Sequence, residues 1–122
     1  MANIEKMIAL LNADPQIHKA EDWGDYYKVF TLYLLGISND YLNVYLINEG
    51  KGEWSLSDSN SVYAVLDDFY AVNERMLQNA AKEVGLEFMD YRFISFPVDE
   101  NNVISEVHKY GKLIPLLTKR RH

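Results

Sequence analysis

The chain has 122 residues, with 18 Asp and Glu against 12 Lys and Arg, a formal net charge of −6 and no cysteine. Apolar residues make up 48% and charged residues 25%, which excludes a disordered tail and a collagen-like chain, and the length excludes a multidomain enzyme. Without cysteine there is no disulfide framework, thiolate metal site, iron–sulfur cluster or Cys nucleophile.

The first residues, Met1 to Lys6, lack a basic segment followed by a long apolar run, so no signal peptide is expected. Apolar runs such as Tyr45-Leu46-Ile47 are far too short to span a membrane. A cytoplasmic protein with no membrane contact is expected. Lys119, Arg120 and Arg121 concentrate three positive charges at 119–122, leaving residues 1–118 with nine bases against 18 acids. Such an acidic body repels phosphates, so direct nucleic-acid binding is disfavoured, and the basic tail reads as a solvated end.

In chain order, Asn3 is a candidate cap for a first helix, with Ile4, Met7, Ile8 and Leu11 at helical spacing. Pro15 should stop that helix near Asn12. Residues 16–25 are polar and read as a loop. Tyr26 to Leu35, rich in aromatic and β-branched residues, reads as a strand. A turn at Ser38-Asn39-Asp40 leads to a second strand, Tyr41 to Ile47, and the Gly50-Lys51-Gly52 hairpin to a third, Glu53 to Ser57. Asp58, Ser59, Asn60 and Ser61 are candidate caps for one long helix, Ser61 to Val84, ended by Gly85. Leu86 to Val98 reads as a fourth strand. A last helix carries Val103, Val107, Tyr110, Ile114 and Leu117, and Pro115 should bend or end it. The order α-β-β-β-α-β-α predicts one two-layer α+β domain over residues 1–118: an antiparallel sheet covered by helices on one face.

Motifs for chemistry are sparse. The six glycines build neither GxGxxG nor a phosphate loop, and there is no G-x-S-x-G elbow. His18 and Asp22 stand four apart, one ligand pair where a metal needs three or four ligands. His108 lies off the apolar stripe of the last helix and reads as solvated. Asp58-Ser59-Asn60 starts like a calcium loop, but Tyr63 and Phe69 occupy its sixth and twelfth positions, so the stretch reads as a cap. No catalytic residue, metal site or cofactor is assigned. Carboxylates around Asp58 and Asp67 give an enzymatic reading that ranks last.

Tyrosines supply the better signal. Nine of them are present, and in both leading strands the two faces each carry apolar or amphipathic groups. A sheet with helices on one face normally shows a polar second face; here that face would be Tyr-rich, as interfaces are. Tyr27, Tyr33, Tyr41 and Tyr45, with Glu49, Glu53, Asp67 and Asp68, are therefore the candidate partner-binding residues.

Asp40-Tyr41-Leu42-Asn43-Val44-Tyr45, the Gly hairpin, and Leu56-Ser57-Asp58 before a helix resemble an uncharacterised prokaryotic and phage domain family with a Leu-(Thr/Ser)-Asp strand-to-helix motif. The resemblance covers about residues 22–100. Ser59 and Asn60 stand where that family usually has a second acid and then Gly. The resemblance implies no reaction and no catalytic residue. The expected function is a non-enzymatic, acidic protein-binding module of phage or mobile-element type, acting as an inhibitor or adaptor. The alternative is a chaperone-like or immunity-type homodimer.

Overall fold

The structure is a computed structural model that describes residues 3–35, 40–69 and 73–118, with the side chains of 3, 65 and 67–69 outside that description. Its elements are α1 (Asn3–Ala13), β1 (Ile17–Asp22), β2 (Tyr27–Leu34), β3 (Tyr41–Gly50), β4 (Glu53–Ser57), α2 (Ser61–Phe69), α3 (Glu74–Val84), β5 (Glu87–Met89), β6 (Arg92–Asp99), a 3-10 turn (Glu100–Asn102) and α4 (Val103–Thr118). The class is α+β, as predicted. The expected cap Asn3, the turn at Ser38-Asn39 and the 119–122 tail lie outside the described residues or side chains.

Six strands form one antiparallel sheet in the order β1-β2-β3-β4-β6-β5. Tyr27 pairs with Leu46 and Leu46 with Leu56, which pairs in turn with Ser95, so these side chains share a face. That face is buried: Val29, Leu42, Val44, Leu46, Trp54, Leu56 and Phe93 pack with Met7 and Leu11 of α1, Val62 and Leu66 of α2, Leu77 of α3 and Val107 and Leu113 of α4. Alternation of period two along each strand sends the neighbouring residues to the opposite face.

Three expectations need correction. Residues 17–22, read as loop, are an edge strand. Only Ile17 and Ala20 of it turn toward the core, and a bulge between Ile17 and Lys19 breaks the alternation that would mark a strand. The outward N–H of Ala20 is taken by Asn12 Oδ1 at 3.0 Å, so α1 blunts this edge. The single helix Ser61–Val84 is two helices. Asn73 is extended (φ −132°, ψ 160°) and its side chain accepts the Met76 N–H at 2.9 Å, which starts α3 afresh. The fourth strand, Leu86–Val98, is a hairpin. Asp90 and Tyr91 turn it with φ of 54° and 63°, the two left-handed residues that a tight hairpin needs.

Of the other boundaries, β4 matches, β2 is one residue shorter at each end, and β3 runs three residues past Ile47 to Gly50. Gly85 ends α3 with φ 84° and donates to the Lys82 carbonyl. Pro115, however, neither ends nor interrupts α4, which continues to Thr118. Exposed and close to the helix end, it removes one late backbone bond while Leu117 stays buried in the core.

Candidate functional site: the uncovered sheet face

The face away from the helices is the one that sequence reasoning singled out, with a changed membership. Tyr41 and Tyr45 lie on it. Tyr27 and Tyr33, grouped with them in the sequence, lie on the covered face, since their parity along β2 is that of buried Val29 and Thr31. Tyr27 sets its ring edge-on to Trp54 at 5.7 Å. Glu49 and Glu53 sit in the β3–β4 hairpin, and Glu49 accepts a hydrogen bond from the Ser55 hydroxyl. Asp67 and Asp68 belong to α2, but their side chains lie outside the description.

Paired residues trace a row across the uncovered face: Glu21, Lys28, Tyr45, Ser57, Ile94 and Glu87, one from each strand. Beside it runs Lys19, Phe30, Asn43. Leu34 and Tyr41 pair further along, 49% and 52% exposed. Leu32 and Ile47 are also exposed. Six strands about 4.8 Å apart and about seven residues long give a face on the order of 550 Å² in projection, within reach of the ~800 Å² that each protein contributes to a standard interface. Three depressions border it. One of about 440 Å³ is lined by Leu35, Asp40, Tyr41, Asn43 and Ser61, one of about 240 Å³ by His18, Phe30, Leu32, Tyr41 and Asn43, and one of about 250 Å³ by Tyr26, Tyr45, Ile47, Ser59 and Arg92. The last two fall below the roughly 300–1,000 Å³ of small-molecule sites.

The rings on this face are held in place. Trp23 stacks on Tyr26 with centroids 6.2 Å apart, and Tyr26 meets Tyr45 edge-on at 5.3 Å. The Lys28 ammonium sits 4.6 Å from the Trp23 ring centre and 4.8 Å from that of Phe30. Glu21 accepts the Trp23 indole N–H at 3.0 Å and pairs with Lys19 at 2.8 Å, and these partners hold its carboxyl below the ordinary value.

Two further clusters have chemical side chains. Asp58 is buried; its Oδ1 accepts the N–H of Phe93 at 2.9 Å and of Asn60 at 3.3 Å, and its Oδ2 that of Val62 at 3.0 Å. Burial pushes its carboxyl up against the pull of those bonds. With both oxygens engaged, Asp58 fastens the start of α2 to β6.

His108, read as solvated, is half-buried. Its Nδ1 lies 2.6 Å from the Tyr33 hydroxyl and its Nε2 2.8 Å from Asp14 Oδ2. A carboxylate only accepts, so Nε2 carries a proton toward Asp14; in the neutral ring Nδ1 then accepts from the Tyr33 hydroxyl. The order Asp–His–Tyr resembles a nucleophile relay, but burial and the nearby Asp14 charge raise the Tyr33 hydroxyl above its ordinary value. Activation needs the reverse shift. The trio joins the α1–β1 corner, β2 and α4. Separations of 75 and 94 residues hide it from any motif search.

Among the described residues no three His, Asp or Glu side chains converge as metal ligands. His18 and Asp22 lie on β1, where a strand spaces residues four apart by about 13 Å. No helix among these residues is long and apolar enough to cross a membrane. Comparison of the chain with protein-family models, curated proteins and solved structures finds no match.

Proposed function

We propose that this chain is a non-enzymatic protein-binding module, an adaptor or inhibitor, which docks a partner protein on the uncovered face of its sheet. One observation carries the reading: a six-stranded sheet buries one face under its helices and leaves Phe30, Leu32, Leu34, Tyr41, Tyr45 and Ile47 on the other. Exposed apolar patches of this extent mark interaction sites. Two of the three depressions that border it are smaller than small-molecule sites, which favours a macromolecule there. Preset Trp and Tyr rings lose little freedom on binding, which suits them to the centre of an interface.

Paired capture tests the reading. Wild-type and Leu32→Lys/Tyr41→Lys chains are used as bait, and the mass of each is measured by light scattering. A partner retained by the wild type and lost by an equally stable variant supports it. Equal capture by both overturns it. A wild-type mass of twice 14.2 kDa, halved by the substitutions, would replace the foreign partner with a second copy of the chain.

A further inference from the structure

Resting on the uncovered face as a docking surface, we propose that the partner protein seats a carboxylate side chain, Asp or Glu, in the depression lined by Tyr26, Tyr45, Ile47, Ser57, Ser59 and Arg92. The register assembles this lining. Tyr45 pairs with Ser57 and Ser57 with Ile94, so Arg92, two residues before Ile94, comes up beside Ser59. Tyr26 sets its ring edge-on to Tyr45 at 5.3 Å and closes the other side.

Arg92 is the only charged side chain in the lining, and among the described residues it has neither a hydrogen bond nor an ion pair. Glu87 and Asp90, on the neighbouring strand and turn, do not pair with it. Asp58, whose charge Tyr45 feels, has both oxygens engaged by backbone N–H groups. The guanidinium is therefore uncompensated. Lys28, its ammonium 5.9 Å from the centre of the Tyr45 ring, adds a second cation beside the depression.

The remaining polar groups of the lining are hydroxyls. Ser57 is 5% exposed, and its Oγ accepts the Ser59 N–H at 3.0 Å, which leaves its proton to donate. Burial, then Tyr26 and Asp58, raise the Tyr45 hydroxyl above its ordinary value, so it too stays a donor. A carboxylate accepts two parallel N–H bonds from a guanidinium and further bonds from hydroxyls.

Size and charge choose the occupant. About 250 Å³ holds one side chain rather than a drug-sized ligand. A chain with a net charge of −6 repels a run of phosphates, whereas a single carboxylate brings one charge onto the Arg92 fork.

NMR tests the contact, with the Arg92 Nε–H and the Ser57 and Ser59 amides as reporters. The peptide acetyl-Phe-Glu-Phe-amide is titrated at low salt, with its Gln and Lys analogues, inorganic phosphate and oligothymidylate in parallel. The Glu peptide should shift the reporters saturably and bind about tenfold more tightly than the Gln analogue, with the Lys analogue weakest. Arg92→Gln should erase the preference for Glu over Gln, and Arg92→Lys should keep part of it. Arg92 is exposed and unpaired, so both variants should leave the rest of the spectrum unchanged. Equal affinity for the Glu and Gln peptides, an unchanged preference in Arg92→Gln, or unmoved reporters would overturn the proposal. Tighter binding of phosphate or oligothymidylate than of the Glu peptide would overturn it too. A captured partner lost with Tyr41→Lys yet held equally by Arg92→Gln would keep the docking face and reject the carboxylate contact.

Discussion

Lys28 and Tyr45 stand opposite each other across β2 and β3 on the face that no helix among the described residues covers, while their chain neighbours Tyr27 and Leu46 stand opposite each other on the buried face. One residue of register thus separates the core from the proposed docking surface. The two rows should respond differently to substitution. Leu46→Ala on the buried row should cost about 2–5 kcal/mol. Leu32→Lys and Tyr41→Lys on the open face should each stay within about 0.5 kcal/mol of wild type. Urea unfolding reads both, and a large loss from the open-face variants would mean that something in the chain covers them.

Asp58 should behave as a structural joint rather than an ordinary helix cap. An exposed cap replaced by Ala costs about 1 kcal/mol. Asp58→Ala strands the N–H groups of Phe93, Val62 and Asn60 together, for an expected loss of about 3–5 kcal/mol. Chemical denaturation distinguishes the two values.

Gly111 sits in the middle of α4 because the Tyr33 ring occupies the space that a side chain would need. Gly111→Ala should gain about 1 kcal/mol of helix propensity and still lose overall, by about 1–2 kcal/mol, through overlap with that ring. In a Tyr33→Ala background the same substitution should turn neutral or stabilising. A double-mutant cycle measures the reversal.

The acid limb of stability should carry the mark of Asp14. Burial pushes its carboxyl up, but the Gln16 N–H and His108 pull it lower still, so it ends below the ordinary value. A carboxyl lowered by folding adds stability above its unfolded pKa and loses that contribution as pH falls through its folded value. Asp58, raised by burial, has the opposite sign, and its contribution grows toward low pH. The stability gap between wild type and Asp14→Asn, read from urea midpoints, should therefore be widest near pH 7 and close toward about pH 3.

Strands β2, β3 and β4 are legible in the sequence because aromatic and β-branched residues alternate between clear turn signals. β1 is not, because an edge strand with a bulge needs only Ile17 and Ala20 inside and can be polar elsewhere. The Asp90–Tyr91 turn is hidden because Tyr holds a left-handed position where hairpins usually place Gly. The break before α3 rests on one Asn73 side chain in an otherwise helical pattern.

For the candidate site, the excess of aromatics is visible in the sequence, but its assignment to faces is not. Tyr27 and Tyr45 differ only in strand parity, and a pattern apolar on both sides cannot say which side the helices take.

Hydroxyl-radical footprinting of the chain, free and in complex with any protein captured by it, tests the proposed docking face most directly. Trp23, Tyr26, Phe30, Tyr41 and Tyr45 should lose reactivity together in the complex, while exposed Tyr91, which packs on Tyr63 of α2, stays reactive. Protection confined to Tyr91, with the tyrosines of the uncovered face unchanged, would contradict the claim that this face holds the partner.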